Sequence, residues 1–301
     1  MRWRKRGLIF APQNLVEWVR THAWVPTPDP LGDGYVRIYF AGRNADNLSQ
    51  VGAFTIHLDE PHKILDLSPE PLVELGPLGA FDDSAILPAW IVNDGESKRL
   101  YYVAWMQGKR VPFYASIGSA ISHDDGKSFS KVSKAPMLPR SDIDPFFTAA
   151  PCVHVENGQW RLWYTANTQW RLVDGAPLPK YHIKYAESDD GITWRRDGIV
   201  AIDFKDDSEY AISRPWVVRE EGIYRMWYSY RGKSYRIGYA ESDDGVVWCR
   251  MDDKAGIDVS PSGEDSEMVE YAAVIRHQDR RYMFYNGNNY GAAGIFLATE
   301  E

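Results

Sequence analysis

Residues 185–194 read YAESDDGITW and residues 239–248 read YAESDDGVVW, so the chain contains nearly the same ten residues twice. A looser copy, SAISHDDGKSF, occupies residues 119–129. A motif that recurs at intervals of roughly 50 to 65 residues is typical of a repeat architecture. Within the motif, Asp-Gly favours a tight turn between two strands, and the Trp is placed to cap the sheet edge. We therefore interpret the motif as scaffold.

Each copy of the motif follows a strand rich in aromatic residues. Five such segments alternate large apolar and polar residues, which is a strand signature: VRIYFAGRN (36–44), RLYYVAWMQG (99–108), RLWYTANTQ (161–169), YRMWYSYRG (224–232) and RYMFYNGNN (281–289). Another strand precedes each segment, and a third strand and a short outer strand follow. Four antiparallel strands repeated five times predict an all-β fold, a five-bladed β-propeller with four strands per blade.

The two chain ends complete this pattern. The fifth unit stops at GIFLATEE (294–301), before its outer strand, while RWRKRGLIF (2–10) aligns with TWRRDGIVA (193–201) of the third unit. We expect the N-terminal segment to supply the missing outer strand of the last blade, which removes an open sheet edge. Residues 1–301 are thus predicted to form a single domain.

Composition narrows the classes of partner. A net charge of −8 argues against nucleic acid and against an anionic membrane surface, since both call for clustered Lys and Arg. No apolar run approaches the roughly 20 residues that span a bilayer, and the apolar stretch near the N-terminus is too short for a secretory signal. Cys152 and Cys249 fall in different blades, which predicts no disulfide and fits a cytoplasmic location. The seven His form no HxH or HExxH pair, so neither a metal nor another cofactor is predicted.

The entries to the inner strands carry carboxylates at matching positions in four of the five units. The inner strands of a propeller line its central channel, so we expect these groups to meet around one rim. The acidic candidates are Asp82, Asp83, Asp144, Glu209, Asp265, Glu267 and Glu270, and the first unit offers His22 instead. Further candidates lie where the second strands end or inside the inner strands. They are Arg43, Trp105, Arg214, Arg231, Tyr271 and Asn286.

Such a set of side chains suits a sugar. One carboxylic acid protonates the leaving oxygen, a second carboxylate acts as base or nucleophile, and aromatic faces stack on the ring. We assign Glu209 as the acid and Asp82 or Asp83 as the base or nucleophile. The remaining candidates, from Asp144 and Asp265 to the arginines, would orient the substrate and bind its hydroxyls or a charged group.

The chain resembles the five-bladed propeller glycosidases of glycoside hydrolase families 43, 32, 68 and 130, and a group of cytoplasmic bacterial glycosidase-like proteins. The resemblance rests on IYFAGRN, FDDSAILP, DPFFTAAP, RMWYS, SRPWV, YAESDDGxxW, DSEMVEY and YNGNNYG, and it spans essentially the whole chain. It implies a glycoside-processing enzyme acting on a small or cytoplasmic saccharide. Those families place a carboxylate at the start of the first blade, where this sequence has His22 and Trp24.

Two alternatives remain open at this point. A phosphate-dependent glycoside phosphorylase would use the same site, with the arginines holding inorganic phosphate. A non-catalytic carbohydrate-binding or interaction propeller would explain the absence of a carboxylate at the start of the first blade.

Overall fold

The computed structural model describes residues 1–12 and 15–301, and nearly all of its regular structure is β-strand. The strands are β1 (Trp3–Phe10), β2 (Thr21–Gly32), β3 (Tyr35–Arg43), β4 (Ser49–His57), β5 (Asp66–Leu67), β6 (Ala85–Asn93), β7 (Lys98–Gln107), β8 (Phe113–Ser122), β9 (Ser130–Lys131), β10 (Thr148–Glu156), β11 (Gln159–Val173), β12 (Ala176–Ser188), β13 (Val200–Ile202), β14 (Ala211–Glu220), β15 (Ile223–Arg231), β16 (Tyr235–Ser242), β17 (Cys249–Arg250), β18 (Glu270–His277), β19 (Arg280–Asn286) and β20 (Ile295–Glu300). A 3₁₀ turn spans Asp252–Lys254, and a four-residue helical segment, α1, spans Asn288–Gly291. The predicted all-β class is confirmed.

Hydrogen bonding groups the strands into five antiparallel meanders. The first meander is β2–β5, the second β6–β9, the third β10–β13, the fourth β14–β17, and the fifth β18–β20 with β1. A single parallel pairing, Ser49 with Ala85, joins the first meander to the second, and Tyr181 with Ala211 joins the third to the fourth. The sequence pattern of four strands per unit is therefore present in each meander.

The N-terminal strand completes the fifth meander, as the sequence predicts. β1 runs antiparallel to β20, from Trp3 opposite Glu300 to Phe10 opposite Ile295. The Trp3 indole donates a hydrogen bond to the carbonyl of Ala255, in the segment that links the fourth and fifth meanders. Both edges of β20 are consequently paired, and the last meander has no unpaired central strand.

The first strands of the five meanders pack against one another in sequence order. β2 contacts β6, β6 contacts β10, β10 contacts β14, β14 contacts β18, and β18 contacts β2. The faces between meanders are filled by buried aromatic side chains, such as Phe10, which stacks on Phe54 with ring centres 4.2 Å apart. Aromatic rings bury large areas, so the many aromatic residues of the strands form the core between neighbouring meanders.

The repeated SDDG turns join neighbouring meanders. The carbonyl of Gly191 accepts a hydrogen bond from the Tyr101 hydroxyl of the preceding meander at 3.0 Å, and that of Gly245 accepts one from the Trp163 indole at 2.7 Å. The fifth meander ends before such a turn. The equivalent donor on the fourth meander is the indole Nε1 of Trp227. It is buried without a partner among the described residues. The motif is repeated because each copy satisfies a buried donor on the meander before it.

Both cysteines are free thiols. Among residues 1–12 and 15–301, no helix is long and apolar enough to cross a bilayer.

Candidate active site

The first strands bulge at matching positions near their N-termini. Val25, Ala150, Arg214 and Tyr271 have φ angles of 51°, 45°, 56° and 57°, and the ladder register shifts beside each of them. Left-handed backbone is costly for residues other than glycine, and such strain concentrates at functional sites. All four residues line one pocket.

This pocket has a volume of about 90 Å³ and a largely aromatic and aliphatic wall. The Trp24 and Trp105 rings meet edge to face at 5.7 Å, and Phe113 stacks on Trp105 at 4.6 Å. Trp170, on the part of the β11–β12 hairpin that extends beyond the equivalent hairpins, packs on Phe113 at 5.5 Å. An apolar wall with a few polar groups is the usual character of a small-molecule site.

Arg214 lies buried in the wall of the pocket and connects three meanders. Its guanidinium donates hydrogen bonds to the carbonyl of Ala89, and to the carbonyl of Pro26 and the hydroxyl of Thr27 at 2.9 Å each. Burial lowers the pKa of Arg214 to about 10, so the side chain stays charged at neutral pH. The sequence predicts that Arg214 points into a central channel and pairs with a carboxylate or an anionic substrate. In the structure it lies in the pocket wall, and its partners are carbonyl and hydroxyl oxygens.

Buried polar atoms without a protein partner are concentrated around this pocket. Buried donors and acceptors in native proteins are nearly always satisfied, so a group of unsatisfied ones calls for an explanation. Among the described residues, the unpartnered atoms in and beside the pocket are Trp24 Nε1, Thr165 Oγ1, Asn167 Nδ2, Arg171 Nε, Arg214 Nε, Arg231 Nε and both carboxyl oxygens of Glu270. Three of these atoms, on Trp24, Thr165 and Arg214, belong to residues that line the pocket.

Glu270 is the most unusual of these residues. Its side chain is completely buried, and neither carboxyl oxygen has a hydrogen-bond partner in the described part of the chain. Burial raises the pKa of Glu270 well above the usual range. The charge of Arg231 and a donor contact from the Tyr271 hydroxyl, which lies outside regular hydrogen-bond geometry, offset that effect only in part. Glu270 directly precedes the pocket residue Tyr271. Its position in β18 is equivalent to that of Ser213 in β14, and Ser213 also lines the pocket.

Tyrosines and one arginine surround Glu270. Tyr181 lines the pocket, and its hydroxyl lies 2.5 Å from that of Tyr235. Arg231 donates a hydrogen bond to the Tyr290 hydroxyl at 2.8 Å, and its guanidinium carbon lies 5.3 Å from the centre of the Tyr235 ring. Burial raises the pKa of Tyr235 and of Tyr181, so both are neutral hydroxyl donors at neutral pH.

The first meander contributes Arg43 and His22. The guanidinium carbon of Arg43 lies 4.8 Å from the centre of the Trp24 ring, a cation–π contact beside the pocket. His22 has a φ of 61° and is partly buried. Burial, followed by the charge of Arg43, lowers the pKa of His22 to about 4, so the imidazole is neutral at neutral pH.

Asp144, in contrast, is held inside the third meander. Its carboxylate accepts a hydrogen bond from the Tyr164 hydroxyl at 2.9 Å and forms ion pairs with Lys184 at 2.9 Å and Arg196 at 3.1 Å. We call this arrangement a carboxylate clasp: an acid before the first strand, a tyrosine on the second strand, and a cation from the outer part of the same meander.

Three more of the predicted acids form similar contacts. In the second and fifth meanders the acid, tyrosine and lysine are Asp82, Tyr102 and Lys131, and Asp265, Tyr285 and Lys5. In the fourth meander Glu209 forms a two-pronged ion pair with Arg250 at 2.8 and 3.0 Å, and this clasp has no tyrosine because the Tyr228 hydroxyl donates to Asp252 instead. None of the four clasp acids lines the pocket. The expectation that these acids form the site therefore differs from what this pocket shows, since each acid is ion-paired within its own meander.

The first meander replaces the clasp with an apolar contact. Phe40 stands at the position of the clasp tyrosines, and Trp18 stacks on it at 5.6 Å. A phenyl ring has no hydroxyl to donate to a carboxylate. The absence of an acid at the start of this meander thus has a local structural reason.

The other predicted residues occupy separate places. Asp83 is partly buried and accepts hydrogen bonds from the Gly79 amide and the Ser84 hydroxyl, and no cation of residues 1–12 or 15–301 is within ion-pair distance. Asn286 bonds to the backbone of Ala23, Val25 and Gly294, which ties the fifth meander to the first. Glu267 is exposed.

Of the predicted residues, Trp105, Arg214 and Tyr271 line the pocket, and Arg43, Arg231 and Glu270 border it. Sequence reasoning missed most of the aromatic wall. Phe113, Tyr181 and Tyr235 are paired with Gln107, Asn167 and Arg231, the residues where the second strands leave their meanders. An aromatic residue opposite the second-strand exit residue in the second, third and fourth units was the signal that could have revealed part of this wall.

No family model matches this sequence. The chain is 40% identical over 301 residues to the uncharacterized protein Rv1502 of Mycobacterium tuberculosis, and the match covers all of both chains. It belongs to the same family as that protein. The uncharacterized protein MT1551, from another strain of that species, is also 40% identical over its full length.

Solved structures share the fold at low sequence identity. A structure described as a complex of BT0996 and RGII has a TM-score of 0.76 at 18% identity, with 99% of this chain and 91% of the other covered. A thermostable family-43 glycoside hydrolase gives 0.67 at 14%, covering 95% and 90%. A structure described with the GH130 family of mannoside phosphorylases gives 0.71 at 13%, covering 97% and 91%. The chain has the fold of glycoside hydrolase-like proteins.

Proposed function

We propose that the chain is a glycoside-processing enzyme with a five-bladed propeller architecture, and that Glu270 is its proton donor. The succession of contacts from β2 through β6, β10, β14 and β18 back to β2 supports the five blades. The observation that carries the activity is the buried, unpartnered carboxyl group of Glu270 beside a pocket lined with unsatisfied donors. Burial raises the pKa of Glu270 well above the usual glutamate range, so the group keeps its proton to higher pH than an exposed glutamate, which favours a general acid.

The pocket walls suit a single sugar ring. Trp24, Trp105 and Phe113 offer aromatic faces, while Thr165 and the Trp24 indole offer hydrogen bonds to hydroxyls. The adjacent Glu270 would donate its proton to the glycosidic oxygen as the bond to the anomeric carbon breaks. These features support a small saccharide bound through its terminal ring.

Asp83 is the second carboxylate in this proposal. It is one of the three catalytic candidates from the sequence, and unlike Asp82 and Glu209 it has no cation within ion-pair distance among the described residues. The neighbouring Ser84 amide bonds to the carbonyl of the pocket residue Trp105 at 3.1 Å. Asp83 would accept a proton from the water whose oxygen attacks the anomeric carbon.

Kinetics of Glu270→Gln test the proposal. A panel of 4-nitrophenyl and methyl glycosides of the same sugars would be assayed for turnover, with Glu96→Gln, in an exposed loop, as the control. We expect Glu270→Gln to lower turnover of the methyl glycoside by roughly 10²- to 10⁴-fold, the usual contribution of a general acid. The loss on the 4-nitrophenyl glycoside should be smaller, because that leaving group needs less protonation. Unchanged turnover on both would rule out Glu270 as the acid.

A phosphorolytic reaction is the second candidate. None of the described residues that line the pocket is an Asp or Glu, and Arg43, Arg171 and Arg231 border it without a described carboxylate in ion-pair distance. Phosphate bound there would attack the anomeric carbon without a base. A rate that rises with inorganic phosphate, with a sugar phosphate as product, separates this reaction from hydrolysis. Binding of a saccharide without turnover by the wild-type protein would instead favour a non-catalytic role.

A further inference from the structure

The arginines around the pocket have no acidic partner in the described part of the chain. None of Arg43, Arg171, Arg214 and Arg231 is within ion-pair distance of a carboxylate there. Elsewhere the clasps neutralise their cations, as Arg196 and Arg250 show. Acidic residues outnumber basic ones, 42 to 34, so partners were not scarce. The positive charge of these four arginines is therefore not paired with a carboxylate of the described residues.

Arg43 shows the feature most clearly. It is partly buried, its guanidinium stacks on Trp24, and its side chain donates no hydrogen bond to any residue of 1–12 or 15–301. None of its guanidinium nitrogens is among the buried unpartnered atoms of the described residues, so its N–H donors stay open to solvent and to an acceptor that a ligand would bring. Arg43 stacks on Trp24, and Trp24 lines the pocket. A ligand bound in the pocket could therefore place a hydrogen-bond acceptor beside Arg43.

Arg171 and Arg231 form a second group of positive charges beside the pocket. The guanidinium carbons of Arg171 and Arg231 are 5.8 and 5.4 Å from the centre of the same ring, Tyr210. The Nε atoms of both arginines are buried without a partner among the residues that the structure describes. Two like charges that share one ring repel each other, and a bound anion would relieve that repulsion.

We propose that the ligand is an acidic sugar, a glycoside whose ring carries a carboxylate that pairs with the guanidinium of Arg43. This inference rests on the proposed function and names its substrate class. A carboxylate accepts two parallel N–H bonds from a guanidinium, and a carboxylate fixed to the ring reaches Arg43 while the ring stacks on the aromatic wall. Arg171 and Arg231 add to the attractive potential that draws the anion in.

Binding of matched sugar pairs tests the inference. The probes are glucose and glucuronate, galactose and galacturonate, mannose and mannuronate, and inorganic phosphate, each titrated calorimetrically at low and at high NaCl. We expect at least one uronate to bind about tenfold or more tightly than its neutral partner, with weaker binding at high salt. Arg43→Gln should remove that preference, because the loss of affinity falls mainly on the uronate. Arg280→Gln, at an exposed turn, is the control, and thermal melts confirm that both variants fold.

Each other outcome overturns the inference. Neutral sugars that bind as tightly as their uronates would show that the charge is not recognised. Phosphate that binds while no uronate does would make the anion a separate co-substrate, and the glycoside-processing function would stand. Binding of no probe at all would also overturn it. Because the Glu270→Gln kinetics do not depend on these titrations, failure of the substrate class and failure of the function can be told apart.

Discussion

Asp144 and Glu270 are both completely buried carboxyl side chains, yet their surroundings are opposite. Asp144 is bonded to the Tyr164 hydroxyl, Lys184 and Arg196, whereas neither oxygen of Glu270 has a partner among the described residues. A buried charge is tolerated when it is paired and hydrogen-bonded; otherwise it is strongly destabilised and favours its neutral form. The satisfied carboxylate holds a meander together, whereas the unsatisfied carboxyl group is the one that our proposal places in the ligand site.

Removing the charge of Asp144 should produce the largest loss of stability. In Asp144→Asn the partly buried cations Lys184 and Arg196 lose their buried counter-charge, so the free energy of unfolding should fall by about 3 to 5 kcal/mol. Urea denaturation measures the loss, and Asp279→Asn, at an exposed turn, should stay within about 0.5 kcal/mol of wild type. A variant Asp144→Asn as stable as wild type would mean that the clasp is not structural.

Glu270→Gln should change stability in the other direction. Above the ordinary glutamate pKa of 4.5, the unfolded chain loses the Glu270 proton while the folded protein keeps it, because burial raises the folded-state pKa. Wild-type stability should therefore fall relative to the variant by up to about 1.4 kcal/mol per pH unit, from just above that value until the folded-state pKa is reached. Denaturation of both proteins at several pH values measures the gap. Parallel stability curves would show that the pKa of Glu270 is the same in both states.

Local patterns in the sequence were sufficient for the all-β class and for the strand order within each meander. The SDDG turns, the aromatic strands and the missing outer strand predict the meanders and the pairing of β1 with β20, because each depends on neighbours in the chain or on the repeat frame. The repeat frame also placed Arg214 and Tyr271 beside the pocket.

The chemistry of the individual carboxylates could not be predicted in the same way. Asp82, Asp144 and Glu270 look alike in sequence, and their roles depend on partners elsewhere in the fold. One clue was present: each aspartate of a clasp bonds to a tyrosine 20 residues later, on the second strand of its own meander. The first meander has Phe40 at the matching position, and no acid accompanies it in the described residues.

The protonation state of Glu270 tests the central claim most directly. Infrared spectra of the wild-type protein and of Glu270→Gln at neutral pH, in H₂O and D₂O, would show the C=O stretch of any protonated carboxyl group. We expect a protonated-carboxyl band in the wild-type protein that is absent from Glu270→Gln and retained in Asp279→Asn. A wild-type spectrum without that band would show that Glu270 is ionised, and the assignment of Glu270 as the proton donor would be contradicted.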